Sequence, residues 1–250
     1  YIGGKMMLVR AWLLGLELTE INPNQDPLSA SEAVFDFCAM TPHQLSNSLK
    51  NLSQIKTLLV GGAPVSETLC KKIQASTARV YETYGMTETV SHIAFRTWSQ
   101  SEFQILPGVQ IAENEENCLL ICAPMTENRW IETRDVVEIL APGHFKLKGR
   151  LDRIINSGGV KIQPEKIEEV YRSVIDAPLF VAGIPDEFWG QKVVLFVESI
   201  QLPVFEEKAI QERLNSYEVP KQVVCLPSFI KTPSAKIDTL KTVALYLNSI

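Results

Sequence analysis

The stretch VYETYGMTETVSHIAFR, residues 80–96, begins as an apolar strand and changes character at Gly85. Thr87, Glu88 and Thr89 follow within four residues of that glycine, which lets another group approach the backbone closely. A threonine hydroxyl can contact a phosphate oxygen, and a carboxylate is a ligand that Mg²⁺ prefers. The same Thr-Glu-Thr run is also typical of a helix N-cap. The stretch alone therefore leaves a polar turn and a metal–phosphate site as open alternatives.

The residues before this stretch alternate between strand and helix patterns. AVFDFCAM at 33–40 and IKTLLV at 55–60 read as strands, and Thr41-Pro42 opens a helix between them. GGAP at 61–64 follows the second strand, and Pro64 suits the first turn of a helix over 65–75. This order favours a parallel sheet, in which ligands bind beyond the carboxyl ends of the strands. We expect the GGAP loop and the YGMTET loop to lie side by side at that edge.

The fold class predicted by the pattern is α/β. From residue 108 to residue 140 the strands become short, which indicates a small β-subdomain beside the parallel-sheet subdomain. Beyond residue 151, Ile167, Val170 and Tyr171 recur at helical spacing, followed by further strands, in a compact α+β C-terminal domain. We therefore expect two domains, residues 1–151 and residues 152–250.

Composition argues against several classes of partner. The net charge of −5 argues against nucleic acid or an anionic membrane, and leaves a small molecule as the expected partner. The longest apolar run, Met6–Leu16, is too short to span a membrane and contains Arg10. Five cysteines without a CxxC pair are typical of small core residues in a reducing compartment. With no signal peptide recognised, we expect a cytoplasmic protein.

Three further residues could carry chemistry. Asp135 in IETRDVVEI could accept hydrogen bonds from a ribose diol, or pair with Arg134. Arg150 in KLKGRLDR could hold ribose or phosphate oxygens, or be an ordinary surface arginine. Lys236 follows a predicted turn at residues 233–235, where its charge could stabilise a developing anion or simply be solvated.

Six stretches occur together in one order: GGAPVS, YETYGMTET, TRD, FKLKGRLDRIINSGGVKIQPEKIEEVY, VAGIPDEFWGQKVVLFV and KTPSAKIDTLK. In this order they resemble the adenylate-forming superfamily of acyl-CoA synthetases, luciferases and peptide-synthetase adenylation domains. The resemblance implies an enzyme that binds ATP, Mg²⁺ and a carboxylic acid and forms an acyl adenylate. It further implies transfer of the acyl group to coenzyme A after rotation of the small domain.

The resemblance also assigns roles to individual residues. It implies that adenine is bordered by Gly61, Gly62, Ala63, Pro64, Tyr84 and Gly85. It implies phosphate contact by Thr87, Mg²⁺ ligation by Glu88, ribose binding by Asp135 and Arg150, and catalysis of adenylation by Lys236. It makes Asp152 the hinge and lines the coenzyme A channel with Ser157, Gly158 and Gly159.

Two departures from the family pattern stand out. Ala235 occupies the position before the lysine where the family has glycine. The family's Ser/Thr/Gly-rich phosphate loop would precede Tyr1, so we expect a truncated or abbreviated chain that by itself binds nucleotide poorly. A non-catalytic relative that only binds an acyl or nucleotide ligand is therefore the alternative from another class.

Within the superfamily, SHIAFR and YIGGKMMLVRAWLLG are most similar to the o-succinylbenzoate–CoA ligases of menaquinone biosynthesis. A buried arginine is costly without an anionic partner, and the second carboxylate of that acid would supply one for Arg10. An internal ion pair or a snorkelling side chain is the alternative for Arg10. Ser91 and His92 would line the same acid pocket. Another aryl- or acyl-CoA synthetase, or an adenylation domain, remains the alternative identity.

Overall fold

The computed structural model describes residues 2–22, 24–29, 31–205, 210–232 and 236–249. The chain forms two compact units, Tyr1–Leu147 and Lys148–Ile250. The functional boundary expected after residue 151 falls slightly further along the chain and stays a prediction. The turn expected at residues 233–235 lies outside the described residues.

The first unit is built on one sheet with short helices. Its helices are α1 (Ile2–Leu14), α2 (Pro42–Asn47) and α3 (Glu67–Ile73), with 3-10 turns at Leu49–Gln54 and Pro124–Thr126. Its strands are β1 (Phe35–Met40), β2 (Ile55–Val60), β3 (Arg79–Gly85), β4 (His92–Thr97), β5 (Phe103–Ile105), β6 (Gln110–Glu113), β7 (Cys118–Cys122), β8 (Ile131–Ala141) and β9 (His144–Arg150), the last running into the second unit. The sheet order is β1-β2-β3-β4-β5-β9-β8-β7-β6.

The parallel arrangement predicted for the first three strands is confirmed. β1 pairs in parallel with β2, and β2 pairs in parallel with β3. Their inward residues, including Leu58, Val60 and Val80, are buried beneath α2 and α3 together with Leu45 and Ile73. The loops after β2 and β3 therefore leave the sheet at the same edge, as the sequence indicated.

The helix expected over residues 65–75 is shorter than predicted. α3 begins at Glu67, and the side chain of Ser66 caps it by accepting a hydrogen bond from the Leu69 amide. Placing Pro64 in the first helical turn was therefore wrong, because a serine two residues later satisfies the free N–H groups of the helix end. Pro64 instead lies in the irregular segment between β2 and α3.

The remaining strands of the first unit run antiparallel and continue the same sheet. β3 pairs with β4, β4 with β5, and β5 with β9. The phenol oxygen of Tyr84 on β3 lies 2.6 Å from a carboxylate oxygen of Asp135 on β8, although three strands separate them in the sheet order. The sheet is therefore strongly curled, and its concave face holds a core around Phe103 and Phe145.

The second unit confirms the predicted α+β character. Its helices are α4 (Pro164–Arg172) and α5 (Thr239–Leu247), with a 3-10 turn at Leu151–Arg153. Its sheet contains β10 (Ile155–Ser157), β11 (Val160–Ile162), β12 (Leu179–Asp186), β13 (Gly190–Glu198) and β14 (Gln222–Leu226). Ile167, Val170 and Tyr171 on α4 are buried against the sheet, as their helical spacing predicted. Asp238 caps α5 through the Lys241 amide.

No helix among the described residues is long and apolar enough to cross a membrane.

Candidate functional site

The loop after β2 lies directly against β3. A Cβ added to Gly61 would stand 2.4 Å from Oγ1 of Thr83, so only glycine fits this approach without displacing that side chain. Gly62 has a φ of 88°, which favours glycine for a second reason. Ala63 and Pro64 follow with exposed side chains. The predicted adenine loop is thus open on one side and packed against β3 on the other.

Tyr84 and Asp135 are brought together inside the curled sheet. The Tyr84 hydroxyl donates to Oδ2 of Asp135, and both residues are more than nine-tenths buried. The amide of Asp135 also donates to Oγ1 of Thr133. Two predicted nucleotide residues from distant parts of the sequence therefore share one hydrogen bond.

The turn between β3 and β4 separates the polar residues of the opening motif into two groups. Thr89 is fully buried, and its Oγ1 accepts from the Met86 amide and lies 2.8 Å from the Ser91 carbonyl oxygen. Thr87 and Glu88 point to solvent instead. Because a turn and then β4 follow, the helix N-cap interpretation of this run was wrong.

Glu88 has the character that a magnesium ligand requires. Within the part of the chain that the structure describes, its carboxylate forms no hydrogen bond or ion pair, and the Thr87 hydroxyl is likewise uncommitted. The described residues hold no group of three or more His, Cys, Asp or Glu side chains able to bind a metal ion. Mg²⁺ commonly takes only one or two carboxylates together with waters and phosphate oxygens, so a single Glu88 fits such a site.

Gly85 and the residues after the turn are held in close contact. A Cβ on Gly85 would stand 2.5 Å from the Ser91 carbonyl oxygen and 2.6 Å from Cα of His92. The pairing of β3 with β4 shifts register between Tyr84 and Gly85. The glycine thus sets how closely Ser91 and His92 return to the sheet edge.

Arg10 of α1 reaches the same two residues. One terminal nitrogen of its guanidinium, Nη2, lies 3.4 Å from Oγ of Ser91 and 3.4 Å from Nδ1 of His92. Its Cζ lies 5.9 Å from the centroid of the Phe37 ring, within range of a cation–π interaction. Among the described residues no carboxylate forms an ion pair with Arg10. Of the two alternatives for this arginine, an internal ion pair is therefore absent from the described part of the chain.

A cavity of about 410 Å³ opens beside this cluster. Apolar side chains supply most of its wall, and Arg10 and His92 supply the polar groups. Phe37 and Leu59 belong to the wall and were not predicted, although both lie on strands that the sequence identified correctly. The alternation of β1 and β2 assigns each side chain a face but does not tell which face meets α1. Among the described residues its lining comprises Arg10, Leu14, Leu16, Phe37, Leu59 and His92.

Burial lowers the pKa of both polar groups in the cavity wall. It lowers the pKa of Arg10, although an arginine remains charged at neutral pH. The pKa of His92 is lowered by burial and then by the positive charge of Arg10. An arginine only donates hydrogen bonds, so Nδ1 of His92 is the acceptor and a neutral imidazole carries its proton on Nε2.

The second unit holds the remaining predicted residues. Arg150 and Asp152 are paired with each other through two hydrogen bonds of 2.9 and 2.8 Å. Ser157 is buried, while Gly158 and Gly159 have φ angles of 58° and 83°. A Cβ on Gly158 would stand 2.8 Å from the Trp189 ring, so the indole closes over the loop predicted to line the coenzyme A channel.

Lys236 is exposed at the end of a short antiparallel bridge. Its amide donates to Oγ1 of Thr232, and its carbonyl oxygen accepts from the Thr232 amide. An isolated bridge between Lys231 and Ile237 holds the two chain segments together. The backbone of the predicted lysine is thus held by hydrogen bonds to Thr232, while residues 233–235 lie outside the described residues.

Comparison with known proteins gives the family. Residues 26–118 match the AMP-binding enzyme family. The crystal structure of an acyl-CoA synthetase (AMP-forming)/AMP-acid ligase II-like protein from Dyadobacter fermentans is 37% identical, covers 98% of this chain and 75% of its own, and superposes with a TM-score of 0.56.

The chain belongs to the adenylate-forming, AMP-binding superfamily. The 2-succinylbenzoate–CoA ligase of Listeria monocytogenes is 29% identical over 215 residues, which are 75% of this chain and 45% of the ligase. The o-succinylbenzoate CoA synthetase of Bacillus subtilis, in complex with the acyl-adenylate intermediate OSB-AMP, is 20% identical, with a TM-score of 0.79 over 96% of this chain and 58% of its own. That likeness confirms the predicted adenylate-forming fold. The chain spans about half the length of the curated relatives it matches.

Among the residues to which the family resemblance assigns roles, those predicted for adenine and for the acid lie in the first unit, around the edges of β2, β3 and β4. The second unit carries the predicted hinge, coenzyme A loop and lysine. The roles of these residues stay predictions, since family membership alone does not test them.

Proposed function

We propose that the protein is part of an ATP-dependent acid–thiol ligase that forms an acyl adenylate and then a coenzyme A thioester. We further propose that its acid is o-succinylbenzoate. One observation carries the substrate proposal: the Arg10 guanidinium borders an apolar cavity and has no carboxylate partner among the described residues. A partly buried cation of this kind is best satisfied by an anionic ligand.

The cavity chemistry matches an acid with two carboxylates joined by an apolar body. Phe37 and Leu59 offer apolar surface for that body. Arg10 would bind the carboxylate that does not react, because a guanidinium binds carboxylates by charge-assisted hydrogen bonds. Ser91 and His92 hold Arg10 in place through the contacts at Nη2.

The first reaction joins the other carboxylate to the nucleotide. A carboxylate oxygen attacks the α-phosphorus, forms the new O–P bond and displaces pyrophosphate as the α–β anhydride bond breaks. The carboxylate is already ionised, so no general base is needed, and catalysis consists of positioning and charge stabilisation. When bound at Glu88, Mg²⁺ would neutralise part of the phosphate charge. In the second reaction the thiol of coenzyme A gives up its proton to solvent, and its sulfur forms a bond to the acyl carbon as the C–O bond to the phosphate breaks and AMP leaves.

The other predicted residues keep the roles that the family resemblance gives them. Tyr84 donates a hydrogen bond to Oδ2 of Asp135 and so orients the carboxylate that the resemblance assigns to the ribose. The adenine border would be formed by Gly61, Gly62, Ala63, Pro64, Tyr84 and Gly85. Thr87 would contact phosphate, Arg150 would contact the ribose, and Lys236 would contact the reacting carboxylate and phosphate. Asp152 would be the hinge. The coenzyme A channel would be lined by Ser157, Gly158 and Gly159.

The decisive experiment is ATP–pyrophosphate exchange on the intact gene product with a panel of acids. The proposal expects exchange with o-succinylbenzoate well above that with benzoate or a fatty acid. Exchange driven by those monocarboxylates alone would contradict the proposed substrate and favour another aryl- or acyl-CoA synthetase. The apolar lining of the cavity is also compatible with the acids of such an enzyme. Binding of acid or nucleotide without exchange would favour a non-catalytic relative.

Arg10→Met tests the role of the cation directly. Loss of a charge-assisted pair worth about 1.5–3 kcal/mol should raise the KM for a dicarboxylate acid by roughly 10- to 100-fold. The KM for ATP should change little, because the side chain belongs to the acid cavity. Arg79→Met is the matched control, since the Arg79 side chain is exposed, donates to the Thr57 hydroxyl and does not line the cavity. An unchanged acid KM in Arg10→Met would remove this residue from the pocket.

A further inference from the structure

Glu82 is a buried carboxylate on a strand face that is otherwise apolar. On β3 it lies between the buried residues Val80 and Tyr84, and only 8% of its surface is exposed. In the sequence this glutamate stands between Tyr81 and Thr83, and no motif distinguishes it from an ordinary exposed strand residue. In the structure it lies beside Val65, Ile73 and Trp98, where α3 meets the sheet.

Arg96 on the neighbouring strand β4 neutralises this carboxylate. Its Nε and Nη2 atoms each lie 2.8 Å from Oε2 of Glu82. The guanidinium is itself fixed, because Nη1 donates to the Ser101 carbonyl oxygen and the group lies 4.5 Å from the centroid of the Phe103 ring. The orientation of Glu82 is therefore set by a side chain that has little freedom.

The second oxygen of Glu82 holds the loop after β2. Oε1 accepts a hydrogen bond of 3.3 Å from the Val65 amide, which directly follows the Gly61–Pro64 loop. At the other end of the loop, the Gly61 amide donates to the Met40 carbonyl oxygen at 3.1 Å. Gly62, Ala63 and Pro64 are exposed between these two anchors. The end of the loop is thus positioned by a side chain of β3.

A buried ion pair contributes little net stability, since an apolar pair of similar volume often does as well. Orientation is what such a pair can supply and an apolar pair cannot. From this geometry we infer that Glu82, oriented by Arg96, is a positioning residue that sets the Gly61–Pro64 loop for nucleotide binding. The inference rests on the proposed function, because that function makes the loop a nucleotide contact.

Two double variants isolate the hydrogen bond to Val65 from the ion pair. Glu82→Gln with Arg96→Met removes both charges and keeps a carbonyl acceptor for the Val65 amide. Glu82→Met with Arg96→Met removes both charges and the acceptor. Neither variant leaves an unpaired buried charge, so both are expected to fold with similar melting temperatures.

The methionine pair should raise the KM for ATP in the exchange assay about tenfold, the effect of losing one positioning hydrogen bond. The glutamine pair should stay within about threefold of the wild type, and the KM for the acid should be unchanged in both. Amide hydrogen exchange at Val65 should be faster in the methionine pair than in the glutamine pair. A matched control replaces the exposed Asp36–Lys56 ion pair of β1 and β2 by Asn and Met, with no expected effect on the ATP KM.

An equal ATP KM in the two double variants, with wild-type exchange activity intact, would overturn the inference and leave the proposed function standing. Absence of exchange in the wild type with every acid would instead contradict the proposed function. In that case amide hydrogen exchange at Val65 still shows whether Glu82 positions the Gly61–Pro64 loop. Equal rates of amide hydrogen exchange at Val65 in the two double variants would show that Glu82 does not hold the loop.

Discussion

One added carbon at Gly85 would meet two backbone atoms of the returning strand, the Ser91 carbonyl oxygen and Cα of His92. Backbone cannot rotate away as a side chain can, so Gly85→Ala must shift the start of β4. We expect a loss of about 1–3 kcal/mol in the free energy of unfolding, measured by urea denaturation. The KM for the acid should rise as well, because Ser91 and His92 hold Arg10.

Gly4→Ala is the matched control for this change. Gly4 lies inside α1 and a Cβ there would meet nothing within 4 Å. Alanine is favoured over glycine in a helix by about 0.5–1 kcal/mol, so this variant should be neutral or slightly more stable. Equal stability of Gly85→Ala and the wild type would show that β4 tolerates the displacement.

His92 should make stability depend on pH in a defined direction. Burial and the charge of Arg10 lower its pKa in the folded protein. The unfolded chain then binds the proton more readily, so the contribution is fully present above the ordinary histidine pKa of about 6.5. It is lost as the pH falls from there toward the lowered folded pKa. Urea denaturation at pH 7.5 and pH 5.5 should show this loss of stability at the lower pH.

His92→Asn keeps an acceptor near the position of Nδ1 but cannot titrate. It should therefore show a smaller loss of stability between pH 7.5 and pH 5.5 than the wild type. His43→Asn is the control, because His43 is exposed on α2 and lies outside the cavity. If His92→Asn and His43→Asn keep the same pH dependence, the acid sensitivity arises elsewhere.

At the scale of elements, the sequence predicted the features that depend on residues close together along the chain. The apolar run at β2 is followed by glycines and the run at β3 ends at Gly85, and the parallel order predicted for β1, β2 and β3 was correct. The start of α3 was misplaced because Ser66, two residues after Pro64, caps the helix. The bond between Tyr84 and Asp135 and the pair of Glu82 with Arg96 could not be predicted. They depend on the curl and neighbour order of the strands, which side-chain alternation does not encode.

The anchoring of α4 depends on one buried carboxylate. Glu168 is 2% exposed, accepts from the Val181 amide of β12 at 3.0 Å, and pairs with Arg153 and with Arg172. Glu168→Ala would leave both guanidinium groups without this partner. Breaking a buried ion pair costs about 3–5 kcal/mol, so the second unit should be destabilised by about that amount. Amide hydrogen exchange along β12 reports this unit specifically.

Glu169→Ala provides the comparison on the same helix. Glu169 is exposed and adjacent, so its loss should change exchange along β12 by little. A similar effect of both substitutions would indicate that helix propensity, and not the buried network, holds α4. The network adjoins Asp152 in the sequence, so its rigidity bears on the predicted hinge.

At the scale of the whole molecule, the predicted residues divide between the two compact units. The first unit carries the adenine loops, Asp135, Glu88 and the acid cavity. The second carries Asp152, the Ser157–Gly159 loop and Lys236. The family resemblance implies that the small domain serves the two half-reactions in different orientations. Lys236 should then matter in the first half-reaction and the glycine loop in the second.

Lys236→Ala separates the two half-reactions on the intact gene product. Loss of the charge that stabilises the reacting carboxylate and phosphate should lower the rate of ATP–pyrophosphate exchange by several orders of magnitude. Thioester formation from preformed acyl adenylate should remain near the wild-type rate, because the family resemblance assigns the lysine to adenylation alone. Lys231→Ala, an exposed lysine on the facing segment of the same bridge, should leave both rates unchanged. An equal loss of both rates in Lys236→Ala would show that this residue is structural. A lysine that acts only through its charge on the reacting carboxylate and phosphate should affect the first step alone.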